Sequence, residues 1–309
     1  MNIVFMGTPE FAVPSLKKLI ENYDVKAVFT QPDRPKGRGK KLAMSPVKEV
    51  AVENNIPVFQ PQSLKKEHEY VEKLKEIKPD FIIVVAFGQI LSEEVLNIPK
   101  YACINVHASL LPKYRGSAPI IWSVVNGEKK SGVTTMLMAK GIDTGDMLLK
   151  CETDIDPDMT SGQLQDILAE KGANLLLNTI EDFKDGKIEP ERQNDEEASY
   201  ISVISKDLGE INWNNSAESI HNLIRGFNPW PSAYTHYEDK VMKIHESKVI
   251  DTDFKGTPGL VTDVSKEGIK VETGEGKLLI TLVQFPGKKI MSVKDYIAGN
   301  TIEKGIILK

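Results

Sequence analysis

Cysteine is nearly missing from this chain: Cys103 and Cys151 are the two in 309 residues. Two thiols support neither a disulfide framework nor a clustered zinc site, so stability must come from a buried apolar core. Long apolar runs are lacking as well. The longest, Phe81-Ile82-Ile83-Val84-Val85-Ala86-Phe87, falls well short of the roughly 20 residues a spanning helix needs, and no membrane role is expected. The N-terminus has no basic stretch, apolar segment and small-residue cleavage site, since Glu10 follows Asn2–Met6 closely; a cytoplasmic location is the expectation. Only Gly7 occupies the first β–α turn, so the three-glycine dinucleotide fingerprint is absent. Gly37-Arg38-Gly39-Lys40-Lys41 misses the phosphate-loop spacing, because Arg34 stands where that loop requires glycine. Neither NAD nor ATP is favoured. Positive charge is not in excess either: a net charge of −5 argues against a protein that coats nucleic acid over its whole surface.

What is present is the composition of a two-domain globular protein, 40% hydrophobic and 27% charged. Asn2–Met6 reads as a buried strand, Gly7-Thr8-Pro9 as a turn feeding a helix capped by Thr8, and Val25–Thr30 as a second strand. Leu64–Lys78 reads as an amphipathic helix ended by Pro79. It leads into a strand, Phe81–Ala86, that is apolar on both faces, as in a parallel sheet covered by helices. Ala102–His107 and Val133–Met138 add strands, with a helix starting near Ser117-Ala118-Pro119. Thr160-Ser161-Gly162-Gln163 has the capping-box form, and Leu164, Ile167, Leu168, Leu175, Ile180 and Phe183 recur at helical spacing. The polar, acidic stretch after Lys187 has no apolar period and reads as a linker. After a short helix, Ala217–Arg225, the β-prone runs Val241–Ile250, Leu260–Val264, Ile269–Val271 and Leu278–Phe285 alternate with turns, the pattern of a small β-barrel. The expected organisation is an α/β domain over 1–188, a linker over 189–205 and a β-barrel domain over 206–309.

The strongest chemical signal is Ile104-Asn105-Val106-His107. Side chains two apart on a strand share a face, so Asn105 and His107 point together at the C-terminal end of a buried strand, where open α/β sheets bind ligands. Asp143 sits in the glycine-flanked turn Gly141-Ile142-Asp143-Thr144-Gly145-Asp146. Two readings stand. Asn105 and His107 satisfy loop backbone while Asp143 makes an Asx turn; or amide, imidazole and carboxylate converge to serve acyl transfer to a nucleophile that is already reactive. Ser109 has no nucleophile elbow around it. His107 has no second His or Cys at ligand spacing, so no metal is expected. Residues 31–48 hold six basic residues, Arg34, Lys36, Arg38, Lys40, Lys41 and Lys48, against the single acid Asp33. Such a run is either a solvated loop or a dock for a polyanion. Residues 206–309 carry 14 basic and 14 acidic residues, so charge alone does not mark them as RNA-binding. Lys240, Lys243, Lys248, Lys288 and Lys289 still form a candidate stripe.

Taken together, Gly7-Thr8-Pro9-Glu10-Phe11-Ala12, Gln31-Pro32-Asp33-Arg34-Pro35, the 37–41 run, Asn105-Val106-His107-Ala108-Ser109-Leu110-Leu111-Pro112, the 141–146 turn and Phe227-Asn228-Pro229-Trp230-Pro231 resemble the methionyl-tRNA formyltransferase family. The resemblance spans both domains. It departs at Ala139, where an acid is common, and at Ser232, where glycine is. It implies an open, mostly parallel Rossmann-like sheet of the formyltransferase type followed by an OB-like barrel. It also implies 10-formyltetrahydrofolate as formyl donor and initiator methionyl-tRNA as acceptor. Asn105, His107 and Asp143 match the family's catalytic trio. Phe87, Gly88, Gln89, Ile90 and Leu91, with Ser109, Leu110, Leu111 and Pro112, match its folate-lining segments, and Arg34, Lys36, Arg38, Lys40 and Lys41 match the loop that meets tRNA. The sequence is compatible with a monomer and does not fix the oligomeric state. A sugar-nucleotide or glycinamide ribonucleotide formyltransferase would leave the basic loop and second domain without a task. A non-enzymatic RNA binder would leave the trio without one.

Overall fold

The computed structural model describes residues 1–36 and 41–309. They form two compact units, one of residues 1–116, 131–153 and 165–200, the other of residues 117–130, 154–164 and 201–309.

In the first unit, β1 (Asn2–Gly7) is followed by one 3-10 turn, Glu10–Ala12, before α1 (Val13–Asn22) begins. Thr8 therefore does not cap the helix. Its Oγ1 donates to the Phe87 carbonyl at 3.2 Å and accepts from the Gln31 amide at 3.3 Å, tying three strand ends together. β2 (Asp24–Phe29) leads to a short ladder between β3 (Arg34–Lys36) and β4 (Lys41–Ala43), regular structure that Gly- and Pro-rich sequence conceals. α2 (Pro46–Glu53) is capped by the Ser45 hydroxyl, which accepts from the Lys48 amide at 3.1 Å. β5 (Val58–Phe59) precedes α3 (His68–Ile77), a helix shorter than its apolar pattern predicts. Residues 64–66 form a turn in its place, with the Leu64 amide donating to Gln89 Oε1 at 2.8 Å. Lys78, left-handed at φ 49°, ends the helix before Pro79.

β6 (Phe81–Val85) is buried throughout, as an all-apolar strand in the middle of a sheet must be. α4 (Glu93–Leu96), β7 (Ala102–His107) and β8 (Arg115–Gly116) follow. Next come α5 (Pro119–Val125), β9 (Lys130–Leu137) and β10 (Met147–Asp154). The seven-stranded sheet has the order β10-β9-β7-β6-β1-β2-β5. β1, β2, β5, β6 and β7 run parallel, and β9 is antiparallel to β7. The chain reverses its direction of growth between β1 and β6, the switch point where crevices open in such sheets. α6 (Ser161–Lys184) starts with the expected capping box: the Thr160 amide donates to Gln163 Oε1 at 2.9 Å and the Gln163 amide donates to Thr160 Oγ1 at 3.2 Å.

The second unit contains α5 and α7 (Ala217–Gly226), the latter capped by Ser216. Its antiparallel sheet comprises β12 (Ala233–Tyr237), β13 (Lys240–Asp251), β14 (Val261–Ser265), β15 (Gly268–Glu272) and β16 (Lys277–Gln284), the strand numbers continuing past the two-residue β11 (Tyr200–Ile201). The order is β12-β13-β16-β15-β14. Residues 305–309 hydrogen-bond to both edges: Gly305 and Leu308 amides donate to Val261 and Gly259 carbonyls, and Lys309 exchanges two bonds with His236. That closure removes the open edges, in keeping with the expected small barrel.

Candidate active site

β7 sorts its side chains by face. Val106 turns toward α6, where a Cβ added to Gly172 would meet its Cγ1 at 3.1 Å. Asn105 and His107 therefore face the other way. The strand is fixed on both sides, Asn105 opposite Val84 of β6 and Met136 of β9, and His107 opposite Thr134. Among the described residues none hydrogen-bonds the Asn105 carboxamide, so its N–H groups are free to donate. The residue is 9% exposed.

His107 Nε2 lies 3.0 Å from the Tyr114 carbonyl oxygen. A carbonyl only accepts, so this partner puts the proton on Nε2 and leaves Nδ1 as the basic position. Nδ1 is 3.7 Å from Asp143 Oδ1, within reach of an ion pair but too far for a hydrogen bond. Asp143 Oδ2 accepts the Gly116 amide at 2.9 Å. Asp143 and Tyr114 both have left-handed backbones, φ 53° and 61°, a conformation that neighbouring contacts must maintain. Asp143 therefore makes no Asx turn: one carboxylate oxygen accepts from the Gly116 amide, distant in sequence, and the other faces the imidazole, while His107 satisfies a loop carbonyl through Nε2.

The segments matched to folate lie at the sheet's C-terminal edge. Phe87 and Leu91 are core side chains, and Gln89 is bound on both ends, accepting from the Leu64 amide and donating to the Pro61 carbonyl at 2.9 Å. Gly88, at φ +79°, turns the chain, and Ile90 is 68% exposed. Ser109 Oγ donates to the Lys113 carbonyl at 2.7 Å. Thr134 Oγ1 donates to the Ser109 carbonyl at 2.7 Å and accepts from the Leu111 amide at 3.1 Å. Leu111 is buried against Met136 and Met147, Leu110 packs at Gly132, and Pro112 follows a cis peptide bond. Gln89 and Ser109 are committed to the protein and the Phe87 carbonyl accepts from Thr8 and Gln31, which leaves Ile90 as the exposed apolar side chain of 86–91.

Beside this segment a cavity of about 510 Å³ is lined by Thr8, Gln31, Arg34, Met44, Phe87 and Gly88 among others. Arg34 is exposed and donates weakly to Gln31 Oε1 at 3.4 Å, while Gln31 Nε2 donates to the Phe87 carbonyl at 3.1 Å. Lys36 and Lys41 pair across the β3–β4 ladder; Arg38 and Lys40 lie outside the described residues. The ladder's base is tied down by Lys48, whose Nζ donates to Asp33 Oδ2 at 2.7 Å and Gln60 Oε1 at 2.8 Å. Hydrogen bonds from Lys48 and then Gln60 hold the Asp33 carboxyl below its ordinary range.

Sequence reasoning gave Thr8 only a capping role and Gln31 only a place in a motif, and it passed over Tyr114, Arg115 and Gln193. The signal for Arg115 was its place beside the 105–112 motif. Gln193 stands in a polar stretch, between Arg192 and Asn194, and carries no local signal.

Residues 1–180 match the family profile described as "Formyl transferase", and residues 203–301 match "Formyl transferase, C-terminal domain". The methionyl-tRNA formyltransferase of Clostridium acetobutylicum is 66% identical over 309 residues, covering 100% of both chains. That of Clostridium novyi is 63% identical over the same 100% of both chains. Among solved structures, an N-formyltransferase from Helicobacter canadensis in complex with folinic acid and dTDP-3-aminofucose is 25% identical. It covers 90% of this chain and 98% of its own, with a TM-score of 0.69.

Proposed function

The chain belongs to the methionyl-tRNA formyltransferase family, and from that premise we propose that Asn105, His107 and Asp143 carry its reaction: transfer of the formyl group of 10-formyltetrahydrofolate to the α-amino group of methionine on initiator methionyl-tRNA. The product is N-formylmethionyl-tRNA for translation initiation. The folate supplies an electrophilic one-carbon unit when bound. Asn105 donates an N–H to the formyl oxygen as negative charge gathers there. His107 takes the proton lost by the attacking amine at Nδ1, the nitrogen left basic by the Tyr114 carbonyl, and returns it to the folate nitrogen as the bond from that nitrogen to the formyl carbon breaks and tetrahydrofolate leaves. The Asp143 carboxylate faces that nitrogen and stabilises the resulting imidazolium. No nucleophile is required from the protein, because the amine is one.

The observation that carries this reading is the opposed pair of contacts on one imidazole, a carbonyl at Nε2 and a carboxylate facing Nδ1. Phe87–Leu91 and Ser109–Pro112 receive the folate, and Arg34, Lys36, Arg38, Lys40 and Lys41 receive the tRNA. Residues 1–188 perform the chemistry, 189–205 lead on to the second domain with 193–200 still bonded to the first unit, and 206–309 add tRNA-binding surface. The described residues contain no helix long and apolar enough to cross a membrane, and a reaction that serves translation initiation supports a cytoplasmic enzyme.

A formylation assay with 10-formyltetrahydrofolate and three acceptors, methionyl-tRNA, a dTDP-amino sugar and glycinamide ribonucleotide, tests the whole reading. Formylation of methionyl-tRNA alone, reduced about 10²-fold by His107→Ala, is the expected result. Formylation of a small acceptor in its place overturns it.

A further inference from the structure

We propose that Gln193, held by Arg115, is a positioning residue for the His107–Asp143 pair, and that the polar segment 193–200 is a strap that sets the geometry of the reacting groups. The inference rests on the reaction assigned above. Gln193 is 5% exposed, and every polar atom of its amide is used. Nε2 donates to the Asp143 carbonyl at 2.8 Å and to the Gly145 carbonyl at 2.7 Å. Oε1 accepts from Arg115 Nε at 2.9 Å. Two carbonyl acceptors and one guanidinium donor fix the orientation of the amide, and among side chains of this size only glutamine satisfies all three. The turn it holds is the one in which Asp143 is left-handed. A conformation of that kind persists only where its surroundings over-determine it.

The same segment grips the other side of the pair. Ser199 takes both the Arg115 amide, through its carbonyl at 2.8 Å, and the Tyr114 amide, through its hydroxyl at 2.8 Å. Tyr114 is the residue whose carbonyl anchors His107 Nε2, and Gly116 donates the amide that Asp143 Oδ2 accepts. Residues 193–200 thus hold both arms of the pair: Tyr114–Gly116 through Ser199, and the Asp143 turn through Gln193. Arg115 itself is 1% exposed. Its Nη1 reaches Tyr200 Oη at 2.8 Å and Asp195 Oδ1 at 2.9 Å, while Nη2 is buried with no partner among the described residues. Stability alone does not favour a buried guanidinium with an unmet donor. Its rigid fork does direct Nε at Gln193.

The test is a double-mutant cycle between Gln193 and Asp143, read by steady-state formylation. Gln193→Glu keeps size and the Arg115 partner while removing both donors to the turn. It should lower kcat about 10-fold or more, with KM for methionyl-tRNA and for the folate within about 3-fold, because alignment matters to the transition state more than to binding. In an Asp143→Asn background the same change should move kcat less than about 3-fold, since Gln193 acts through Asp143. A residue that only supports the fold would cost as much in either background. Tyr200→Phe, which removes one hydrogen bond to Arg115 at the exposed end, serves where Gln193→Glu does not fold, with a loss of about 3-fold that also vanishes in Asp143→Asn. Unchanged kcat in the foldable variant, a loss confined to KM, or an equal loss in both backgrounds overturns the proposal. Absence of methionyl-tRNA formylation by the unaltered protein would instead overturn the assigned reaction.

Discussion

The carbonyl oxygen of Tyr114 stands 3.0 Å from Nε2 of His107, and so decides which imidazole nitrogen carries the proton. An acceptor at Nε2 requires a proton there, which leaves the lone pair on Nδ1, toward Asp143. A proton arriving at His107 is therefore received between the ring and a carboxylate.

His107→Ala should fold normally, since the ring makes one side-chain hydrogen bond in a strand held by β6 and β9. Its kcat should fall about 10²-fold or more, with folate affinity within about 2-fold of the unaltered protein. Folate fluorescence titration beside single-turnover formylation separates the two. Undiminished turnover would remove His107 from the reaction.

Asp143→Asn retains an oxygen to accept the Gly116 amide, so the melting temperature should shift little. The neutral amide no longer balances an imidazolium, and kcat should drop about 10-fold or more. A change confined to KM would make Asp143 a binding residue.

Two glycines of the Asp143 turn should respond differently to alanine. At Gly145 a Cβ would overlap the Leu137 carbonyl oxygen and carbon, which are main chain and cannot step aside. At Gly141 it would meet chiefly Thr144 Oγ1, a side-chain end able to rotate. Gly145→Ala should therefore lower both the melting temperature, by several degrees for a cost of about 1–3 kcal/mol, and kcat. Gly141→Ala should retain most of both. Equal tolerance in calorimetry and turnover would show that the turn is not a rigid element.

Arg38→Ala with Lys40→Ala should weaken tRNA binding and flatten its salt dependence by about 2 in the log–log slope, roughly 0.9 for each phosphate no longer neutralised. Folate binding should not change. Arg38→Lys should restore the slope but not full affinity, because an ammonium lacks the two-pronged guanidinium fork. Filter binding across a salt series measures both, and an unchanged slope returns the run to a solvated surface loop.

Asp33 provides a pH test of the ladder's tether. Its carboxyl is held below the ordinary range by Lys48, then Gln60. A depressed carboxyl stabilises the folded arrangement at neutral pH and loses that contribution only as pH falls through its lowered value. Asp33→Asn should thus raise KM for tRNA by a factor that is constant between about pH 6 and pH 8 and shrinks only in strong acid. A factor that varies across that neutral window would show that another group controls the tether.

Most of the first sheet was legible because burial on both faces writes itself as uninterrupted apolar sequence, as in Phe81–Val85. The pairing of Asn105 with His107 was legible for a related reason: strand periodicity is local. What stayed hidden was contact between distant polar atoms. Thr8 looked like a helix cap, since the residues that claim its hydroxyl, Gln31 and Phe87, are adjacent only in the folded sheet. Residues 193–200 read as a linker because hydrogen bonds, unlike packing, impose no apolar period. The β3–β4 ladder hid behind Gly and Pro that flank it.

The strap also sets an order of assembly. Its bonds to Tyr114 and Arg115 close chain spans of 78 to 85 residues, longer than the 36 residues from His107 to Asp143. Closure entropy grows only as the logarithm of span, about 0.6 kcal/mol per doubling, so the cost in stability is small, and the pairing of β1 with β6, Ile3 opposite Phe81, already brings together residues about as far apart. What sets the strap apart is its place in the chain: the last strand of the first sheet, β10, ends at Asp154, so residues 193–200 leave the ribosome after the whole sheet has done so. Catalytic competence then marks the end of folding rather than its beginning, and a nascent chain that has completed its sheet but not yet reached residue 200 is structured without being an enzyme.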